Sequence, residues 1–339
     1  MIIRLQPALD PAGLRRLDRA LRAVGIEVEP VTWDGRDALR VVSPRSSIDR
    51  ARIESFPGVD GFVALDEVPA RGGRHGAPRR TVDIGDHTVG DGGFTLIAGP
   101  CAVEDEASLF EAARAAKEAG AQILRGGAFK PRTSPYSFQG LGDEGLRLLE
   151  RARESYRLPF VTEALDLESF ARVEAVADAV QIGARSMQNT PLLKRCGRSR
   201  RPILLKRGLS ATLEELLLAA EYVLDAGNER VVLCERGIRA FPGHARFTLD
   251  LSIVPAVRRH SRLPILVDPS HATGEAAYVP SMARAAAAAG ADGVLLEIHP
   301  DPANARCDGR QALSGEALAE LAPSLQAIRA ALHGAEAAP

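Results

Sequence analysis

Apolar positions follow a helical period in parts of the first 65 residues, and short apolar stretches lie between those parts. Leucines spaced three and four residues apart predict a helix over residues 11–24 that ends at Gly25. The other predicted elements are four strands over residues 2–5, 26–31, 38–42 and 61–65 and a second helix over residues 47–56. The order βαββαβ is the split βαβ pattern of small ferredoxin-like modules.

One unit then repeats from residue 95 onward: a short apolar strand, a loop and an amphipathic helix. The strands are predicted over residues 95–98, 122–124, 160–162, 179–182, 203–205, 230–233, 265–267 and 293–296. Helices are predicted over residues 107–119, 144–156, 212–224, 281–289 and 315–332. Alternating strands and helices require a parallel sheet, and eight repeats in about 240 residues favour a closed (β/α)8 barrel over an open doubly wound sheet.

The stretch between these two regions has no apolar period. Residues 66–80 are rich in glycine, proline and arginine, which is typical of a linker. Residues 81–94 are predicted to form a hairpin. We therefore predict a ferredoxin-like domain over residues 1–66, a linker over 67–80, and an α/β domain over 81–339 in which the hairpin precedes the barrel.

Composition and charge exclude several classes of protein. The 43 lysines and arginines nearly balance the 44 aspartates and glutamates, so the chain has no general attraction to nucleic acid or to an anionic membrane. No apolar run approaches the roughly 18 residues of a membrane span, and the first residues lack the pattern of a secretory signal. We expect a cytoplasmic protein with no nucleic-acid or membrane partner. Its four cysteines are too few for a disulfide scaffold and are expected to be reduced.

In a (β/α)8 barrel the chemistry lies on the loops that follow the carboxyl ends of the strands. Those positions supply a thiol, an imidazole and two carboxylates, at Cys101, His271, Glu297 and Asp308. These residue types bind divalent first-row metals, and their mixture of soft and hard donors could accept Mn, Zn, Fe, Co or Cu. With one coordination position open, such an ion polarises a carbonyl group. No Walker loop or dinucleotide-binding glycine pattern follows a predicted strand, so we expect no organic cofactor.

The same strand ends carry six cations. They are Arg125, Lys130, Arg132, Arg185, Lys206 and Arg236. Six cations on one face of a nearly neutral chain would repel one another unless they meet anions, and the arginine fork fits phosphate and carboxylate. We therefore predict a metal-dependent enzyme that joins or cleaves sugar phosphates, with substrates that are phosphorylated, carboxylated or both.

Six strings at these strand ends, taken together, resemble the signatures of one family. They are IAGPC at 97–101, LRGGAFKPRTSP at 124–135, QIGAR at 181–185, LLKRG at 204–208, CERG at 234–237 and VDPSH at 267–271. In this order they resemble the 3-deoxy-7-phosphoheptulonate (DAHP) synthases, which open the shikimate pathway of aromatic amino acid biosynthesis. The subgroup resembled, type I beta, has an N-terminal ferredoxin-like, ACT-like regulatory domain, so the resemblance extends over nearly the whole chain.

The resemblance implies an aldol-like condensation of phosphoenolpyruvate with erythrose 4-phosphate that releases inorganic phosphate. It also implies a homotetramer and allosteric inhibition by tyrosine or phenylalanine at the N-terminal domain. That domain could instead be only a stabilising or oligomer-forming appendage. In the resemblance the metal ligands are Cys101, His271, Glu297 and Asp308, and the catalytic residues are Lys130, Glu163 and His271.

The resemblance also assigns the substrate contacts. The predicted substrate-binding residues are Arg125, Lys130, Arg132, Thr133, Ser134, Arg185, Lys206, Arg236 and Asp268. The carboxylate of phosphoenolpyruvate is expected at Arg125, Lys130 and Lys206, and its phosphate at Arg185, Lys206 and Arg236. The sugar phosphate is expected at Arg132 and Thr133. Glu163 is expected near phosphoenolpyruvate, where it would orient the water that attacks C2.

Two positions depart from the expected pattern or add to it. The resemblance would place an asparagine where Phe247 stands, a change that we expect to affect local packing and not the chemistry. Cys307 directly precedes Asp308, and we interpret it as a small loop residue. A sharper hypothesis is that Cys101 and Cys307 approach and oxidise when the metal is absent.

The sequence leaves two alternative functions open. A 3-deoxy-octulosonate 8-phosphate synthase shares the barrel and the phosphoenolpyruvate chemistry, but that relative carries Ala-Asn around the position where this chain has Pro131-Arg132-Thr133. The second alternative is an amino-acid-sensing binding protein with an inert barrel, and the intact set of metal-binding residues argues against it.

Overall fold

A computed structural model describes residues 2–7, 9–33, 36–42, 50–63, 72–73, 78–132, 134–241 and 243–336. The chain divides into two compact units, one formed by Met1–Arg79 with His260–Arg262 and the other by Arg80–Arg259 with Leu263–Pro339. Of the predicted linker, only residues 72, 73 and 78–80 fall within the described ranges, so the predicted domain boundaries remain predictions.

The first unit contains a four-stranded antiparallel sheet and two helices in the order βαββαβ. Its elements are β1 (Ile2–Leu5), α1 (Pro11–Ala23), β2 (Val28–Trp33), β3 (Arg36–Val41), α2 (Arg50–Glu54) and β4 (Val59–Val63). The strands lie in the order β2-β3-β1-β4. Asp10 caps α1 by accepting a hydrogen bond from the backbone N–H of Gly13. Leu17 and Leu21 on the buried face of α1 pack against Ile3 of the sheet.

Several elements of this unit differ from the sequence prediction at their ends. β2 runs to Trp33, two residues beyond the predicted end, because its pairing with β3 extends to Arg36. The helix predicted over residues 47–56 is shorter, and residues 47–49 lie outside the described ranges. The strand predicted over 61–65 begins at Val59, opposite Leu5, and residues 64–65 also lie outside those ranges.

The second unit is a closed barrel of eight parallel strands, preceded by the predicted hairpin. The hairpin strands are β5 (Val82–Ile84) and β6 (His87–Val89). The barrel strands are β7 (Thr95–Gly99), β8 (Ile123–Arg125), β9 (Phe160–Ala164), β10 (Ala179–Ile182), β11 (Ile203–Lys206), β12 (Val231–Glu235), β13 (Ile265–Val267) and β14 (Gly293–Glu297). β14 pairs with β7 and closes the barrel, so the predicted (β/α)8 fold is confirmed and the open sheet is excluded.

Nine helices are described around this barrel. They are α3 (Glu106–Glu118), α4 (Asp143–Tyr156), α5 (Leu167–Val176), α6 (Thr190–Gly197), α7 (Leu213–Asp225), α8 (Ile253–His260), α9 (Pro269–Thr273), α10 (Val279–Ala288) and α11 (Gly315–Glu336). The side chains of Asp105, Asp166 and Thr212 cap the amino ends of α3, α5 and α7. None of the described helices is both long enough and apolar enough to cross a lipid bilayer.

The apolar core leaves one end of the barrel free for polar chemistry. Ile97, Val161 and Leu266 belong to the cluster inside the barrel, and the hairpin packs on this cluster through Val82 and Ile84. The hairpin also touches the amino ends of the strands, where His87 hydrogen-bonds Thr95 across 2.9 Å. The polar residues lie at the carboxyl ends of the strands, as is general for (β/α)8 barrels.

Candidate metal centre and substrate pocket

The four predicted metal ligands converge at the carboxyl end of the barrel. Their ligand atoms, from Cys101, His271, Glu297 and Asp308, all lie within 4.8 Å of one another. Cys101 and Glu297 meet because β7 and β14 are paired, with Gly99 opposite Glu297. Asp308 arrives from the loop after β14 in the left-handed region, at a φ of 54°, which is uncommon for a residue other than glycine. The cluster joins a sulfur, a nitrogen and two carboxylates, a donor set that suits a divalent first-row metal.

Glu297 is fully buried and is held by three neighbours. Its Oε1 accepts a hydrogen bond from Arg125 Nη1 at 2.9 Å and lies 3.2 Å from His271 Nε2. Its Oε2 accepts from Gln311 Nε2 at 2.5 Å. Burial alone would raise the pKa of Glu297, but its interactions with His271 and Arg125 outweigh it and hold that pKa below its ordinary value. The carboxylate is therefore ionised and available as a ligand.

Asp268 orients the imidazole of His271 from behind. Its Oδ2 lies 2.7 Å from His271 Nδ1 and accepts from Lys206 Nζ at 2.5 Å, while its Oδ1 accepts from the backbone N–H of His271. Burial would raise the pKa of Asp268, yet His271 and Lys206 keep it well below the ordinary range. An ionised Asp268 places the proton of the neutral imidazole on Nδ1, which leaves Nε2 free to bind a metal.

A cavity of about 220 Å³ opens beside this cluster. Among the predicted residues, those that line it are Lys130, Arg132, Ser134, Glu163, Arg185, Lys206, Arg236, His271 and Asp308. Arg125 and Asp268, both predicted to bind substrate, are buried behind the wall and do not line the cavity. Thr133, predicted to hold the sugar phosphate, lies outside the described residues.

Two buried cations converge on the backbone next to the metal-binding thiol. Arg125 Nη2 and Lys130 Nζ donate to the carbonyl oxygen of Cys101, at 3.1 and 3.0 Å. Burial would lower the pKa of Arg125, but Glu297 and Cys101 outweigh it and raise that pKa. The pKa of Lys130 is also raised, because the nearby acidic groups outweigh its burial. Both side chains therefore keep their positive charge beside the pocket.

Glu163 lines the cavity, and its hydrogen-bond partner there is Gln181. Its Oε2 accepts a hydrogen bond from Gln181 Nε2 at 2.9 Å. The side chain passes so close to Gly183 that a Cβ there would lie 2.0 Å from Glu163 Oε1. The glycine of the QIGAR string thus makes room for the carboxylate. Gln181 could have been found from its place at a strand end, the same signal that identified Glu163.

Cys307 lies in the loop after β14 and also lines the cavity. Its Sγ lies 3.3 Å from the Sγ of Cys101 and accepts a hydrogen bond from Arg132 Nη1 at 2.7 Å. The Cys101 thiol also donates to Asp308 Oδ2 at 3.3 Å. The hydrogen bond with Cys307 and burial raise the pKa of Cys101 in the absence of a metal.

The wall formed by Arg185 and Arg236 includes two residues that were not predicted to take part. Arg246 and Phe247 line the cavity beside them. Our expectation that Phe247 affects local packing and not the chemistry stays a prediction, now for a residue that lines the cavity. Arg246 Nη1 lies 3.6 Å from Asp308 Oδ1 and donates to Gln311 Oε1 at 3.2 Å.

Arg207, the neighbour of Lys206 in the LLKRG string, points away from the cavity. Its Nη1 donates to Glu235 Oε2 and to Asp250 Oδ2, each at 2.9 Å, and its Nε donates to the carbonyl oxygen of Ala211. Glu235 in turn accepts from the backbone N–H of Gly237 at 2.6 Å. This network ties together the loops after β11 and β12, which carry Lys206 and Arg236.

Comparison with known proteins agrees with this geometry. Residues 76–333 match the family model described as "DAHP synthetase I family". The phospho-2-dehydro-3-deoxyheptonate aldolase of Thermotoga maritima is 42% identical over 333 residues, 98% of each chain. A crystal structure of this Thermotoga aldolase, a DAHP synthase, has a TM-score of 0.78 and 40% identity, and it covers 98% of this chain and 97% of its own.

A second kind of relative is more distant. The 2-dehydro-3-deoxyphosphooctonate aldolase of Syntrophotalea carbinolica is 32% identical over 273 residues, 75% of this chain and 98% of its own. The likeness to the heptonate aldolase is higher in identity and extends over nearly the full chain. The resemblance seen in the six strings is confirmed, and the chain belongs to the DAHP synthetase I family.

Proposed function

We propose that this chain is a DAHP synthase, which condenses phosphoenolpyruvate with erythrose 4-phosphate and releases inorganic phosphate. The observation that carries the proposal is that a cavity lined by lysines and arginines lies beside the metal-binding quartet, two of whose members, His271 and Asp308, line it. An ion that activates a carbonyl and cations that bind two phosphorylated substrates are the parts that this reaction needs. The full-length likeness to a heptonate aldolase supports the same choice.

The residues of the quartet fit a divalent metal, and the family is generally metal-dependent. Cys101, His271, Glu297 and Asp308 would hold the ion, which we propose to be Mn, Zn, Fe, Co or Cu. When bound, the ion supplies a Lewis acid for the aldehyde oxygen of erythrose 4-phosphate. Asp268 keeps His271 in the tautomer that can bind the ion. Metal analysis of the purified protein would identify the ion.

Phosphoenolpyruvate is proposed to lie across the cationic wall. Its carboxylate would face Lys130 and Lys206, with the charge of Arg125 close behind them. Its phosphate would face Arg185 and Arg236. Arg125 already donates two hydrogen bonds inside the protein, so we propose that it contributes charge and not direct contact.

The phosphate of erythrose 4-phosphate is proposed to bind in the part of the cavity that Arg132 lines, next to Cys307. Arg132 and Ser134 line the cavity there, and Thr133 lies between them in sequence. Arg132 also contacts Cys307, the residue next to the ligand Asp308. This arrangement would put the aldehyde end of the sugar phosphate towards the quartet.

The chain's own residues then orient the reacting atoms. C3 of phosphoenolpyruvate attacks the aldehyde carbon, a water adds to the electron-poor C2, and the C–O bond to phosphate breaks. Glu163, which faces the cavity, is placed to orient this water and to accept its proton. Lys130 remains protonated and stabilises negative charge that develops nearby.

One assay tests the proposal and its main alternative. Phosphate release from phosphoenolpyruvate is measured with erythrose 4-phosphate or arabinose 5-phosphate, before and after chelation. We expect release with erythrose 4-phosphate that chelation abolishes. Preference for arabinose 5-phosphate would indicate an octulosonate synthase instead. No release with either sugar would favour the amino-acid-sensing protein with an inert barrel.

Loss of the metal is proposed to allow Cys101 and Cys307 to form a disulfide. Since the thiols of Cys101 and Cys307 lie 3.3 Å apart, we propose that they oxidise in air when the metal is absent. Mass spectrometry should show the loss of two hydrogens in air-exposed metal-free protein and no loss in metal-loaded protein. Two free thiols at these positions in the metal-free protein would refute the idea.

Regulation and assembly are proposed from the family resemblance. Tyrosine or phenylalanine would bind the N-terminal unit and inhibit the barrel. Inhibition by both amino acids that survives the deletion of residues 1–70 would contradict this role. We propose a homotetramer, which light scattering of the purified protein would test.

A further inference from the structure

The aromatic ring of Phe247 lies against two guanidinium groups of the pocket wall. Its centre is 4.6 Å from Arg236 Cζ and 5.5 Å from Arg246 Cζ. All three residues line the same cavity. We propose that Phe247 is a positioning residue that holds this arginine pair in place for the phosphate of phosphoenolpyruvate, an inference that rests on the proposed function.

The backbone of Phe247 is fixed on both sides. Its N–H donates to the carbonyl oxygen of Ala272, in the helix that carries His271, at 2.8 Å. The next residue, Thr248, exchanges two backbone hydrogen bonds of 2.9 Å with Ile238, two residues after Arg236. The ring is therefore anchored between the helix that bears a proposed metal ligand and the loop that bears the buried arginine.

The fold makes room for this contact at Gly237. The residue has a φ of 89°, a conformation that glycine adopts without strain. A Cβ on it would lie 2.7 Å from the Cβ of Phe247 and 2.9 Å from the Cβ of Ala272. The loop after β12 can thus approach Phe247 closely because residue 237 is a glycine.

Arg236 needs support of this kind because it is buried without a hydrogen-bonding partner at one end. It is 6% exposed, and its Nη1 has no hydrogen-bond partner among the described residues. Burial lowers the pKa of Arg236, the charge of Asp268 opposes that effect, and Arg246 and Arg185 add repulsion. A ligand anion would satisfy both the unpaired N–H group and the excess positive charge.

An aromatic face can hold an arginine without using up its hydrogen-bond donors. The ring attracts a cation through its quadrupole, and a stacked guanidinium keeps its N–H edge free. A carboxylate would also hold the side chain, but it would take the donors and cancel the charge. Phe247 thus explains how Arg236 can be fixed in position and still be available to a phosphate.

The test is the binding of phosphoenolpyruvate to the full chain in the presence of Mn²⁺, measured by calorimetry. Phe247→Leu keeps an apolar side chain and removes the ring. We expect it to weaken binding about fivefold to tenfold. Phe247→Tyr, which keeps an aromatic ring, should bind as tightly as the wild type. Phe110→Leu is the matched control, since Phe110 also stacks with an arginine, Arg151, but on the outer helices.

Separate effects on KM and kcat would distinguish a positioning role of Phe247 from a general loss of structure. In Phe247→Leu the KM for phosphoenolpyruvate should rise by the same factor, while kcat and the KM for erythrose 4-phosphate change little. An unchanged affinity in Phe247→Leu, or an equal loss in Phe247→Tyr, would overturn the inference. Binding without turnover in the wild type would overturn only the proposed function, and no binding in the wild type would overturn both.

Discussion

Arg207 and Arg236 occupy equivalent positions on neighbouring strands and have opposite surroundings. Each comes one residue after the end of its strand, β11 or β12, and they are 5% and 6% exposed. Arg207 donates to two carboxylates, those of Glu235 and Asp250. Arg236 has an aromatic ring at its side and a buried N–H group without a partner among the described residues.

The difference separates cations that hold the fold from cations that await a ligand. A buried charge is costly unless it is paired, so a paired arginine in the interior is part of the structure. An unpaired one is tolerated where a bound anion can compensate it. Within the site, Arg125 and Lys206 are paired with Glu297 and Asp268. Lys206 and Arg236 both line the cavity, but only Arg236 has a buried N–H group without a partner among the described residues.

The largest effect is expected from removing the proposed metal-binding thiol of Cys101. Cys101→Ser should lower phosphate release about 100-fold or more and reduce bound metal, because a Lewis acid contributes several kcal/mol to the barrier. Metal analysis and the phosphate assay measure both. Cys196→Ser, a change at another buried cysteine outside the cavity, should leave both unchanged. Full metal content and activity in Cys101→Ser would contradict the proposed ligand set.

Removing the paired arginine should affect stability first. Arg207→Ala leaves Glu235 buried without its partner and should lower the free energy of unfolding by about 3–5 kcal/mol. The pKa of Glu235 is already raised by burial despite Arg207, which shows how costly this site is for a lone carboxylate. Urea unfolding measures the change. The double variant Arg207→Met with Glu235→Gln should recover part of the loss, and no recovery would argue against the pair as the cause.

Removing the unpaired arginine should have the opposite signature. Arg236→Ala should weaken binding of phosphoenolpyruvate roughly 10- to 100-fold, since a hydrogen bond to a charged group contributes about 1.5–3 kcal/mol. Its free energy of unfolding should not fall, because no buried partner is abandoned. Arg236→Lys should recover part of the affinity through its charge. A stability loss as large as that of Arg207→Ala would erase the distinction.

The smallest expected effect comes from a pair near the surface. Burial would raise the pKa of Glu174, but hydrogen bonds from Arg195 and Ser199 hold it below its ordinary value of 4.5. Glu174 therefore stabilises the folded state above pH 4.5, and this contribution is lost as the pH falls through its lowered pKa. Compared with the wild type, Glu174→Gln should lose about 1 kcal/mol or less at neutral pH and nothing in acid. A loss that grows in acid would contradict this sign.

Much of the fold and of the site followed from the sequence for one physical reason. The carboxyl ends of parallel barrel strands converge, so Cys101 and Glu297 could be placed together from the order of the strands alone. The pairing of the cations could not be predicted in the same way. The strings LLKRG and CERG both put an arginine after a strand, and the partner Asp250 comes from a loop whose path no periodicity indicates.

The contacts that the sequence did not reveal share this dependence on loops. Arg246 and Phe247 lie in the long connection between β12 and α8, and they reach the cavity through backbone bonds to Thr273 and Ala272. Cys307 likewise arrives in the loop after β14. The sequence does not predict that such residues reach the pocket, because the conformation of a loop has no helical or strand period.

The contrast between Arg207 and Arg236 can be tested with a crystal structure of the metal-loaded protein with bound phosphoenolpyruvate. We expect the phosphate within hydrogen-bonding distance of Arg236 and Arg185, with Arg207 still bonded to Glu235 and Asp250. A phosphate bound elsewhere, with Arg236 still lacking a partner at Nη1, would contradict it.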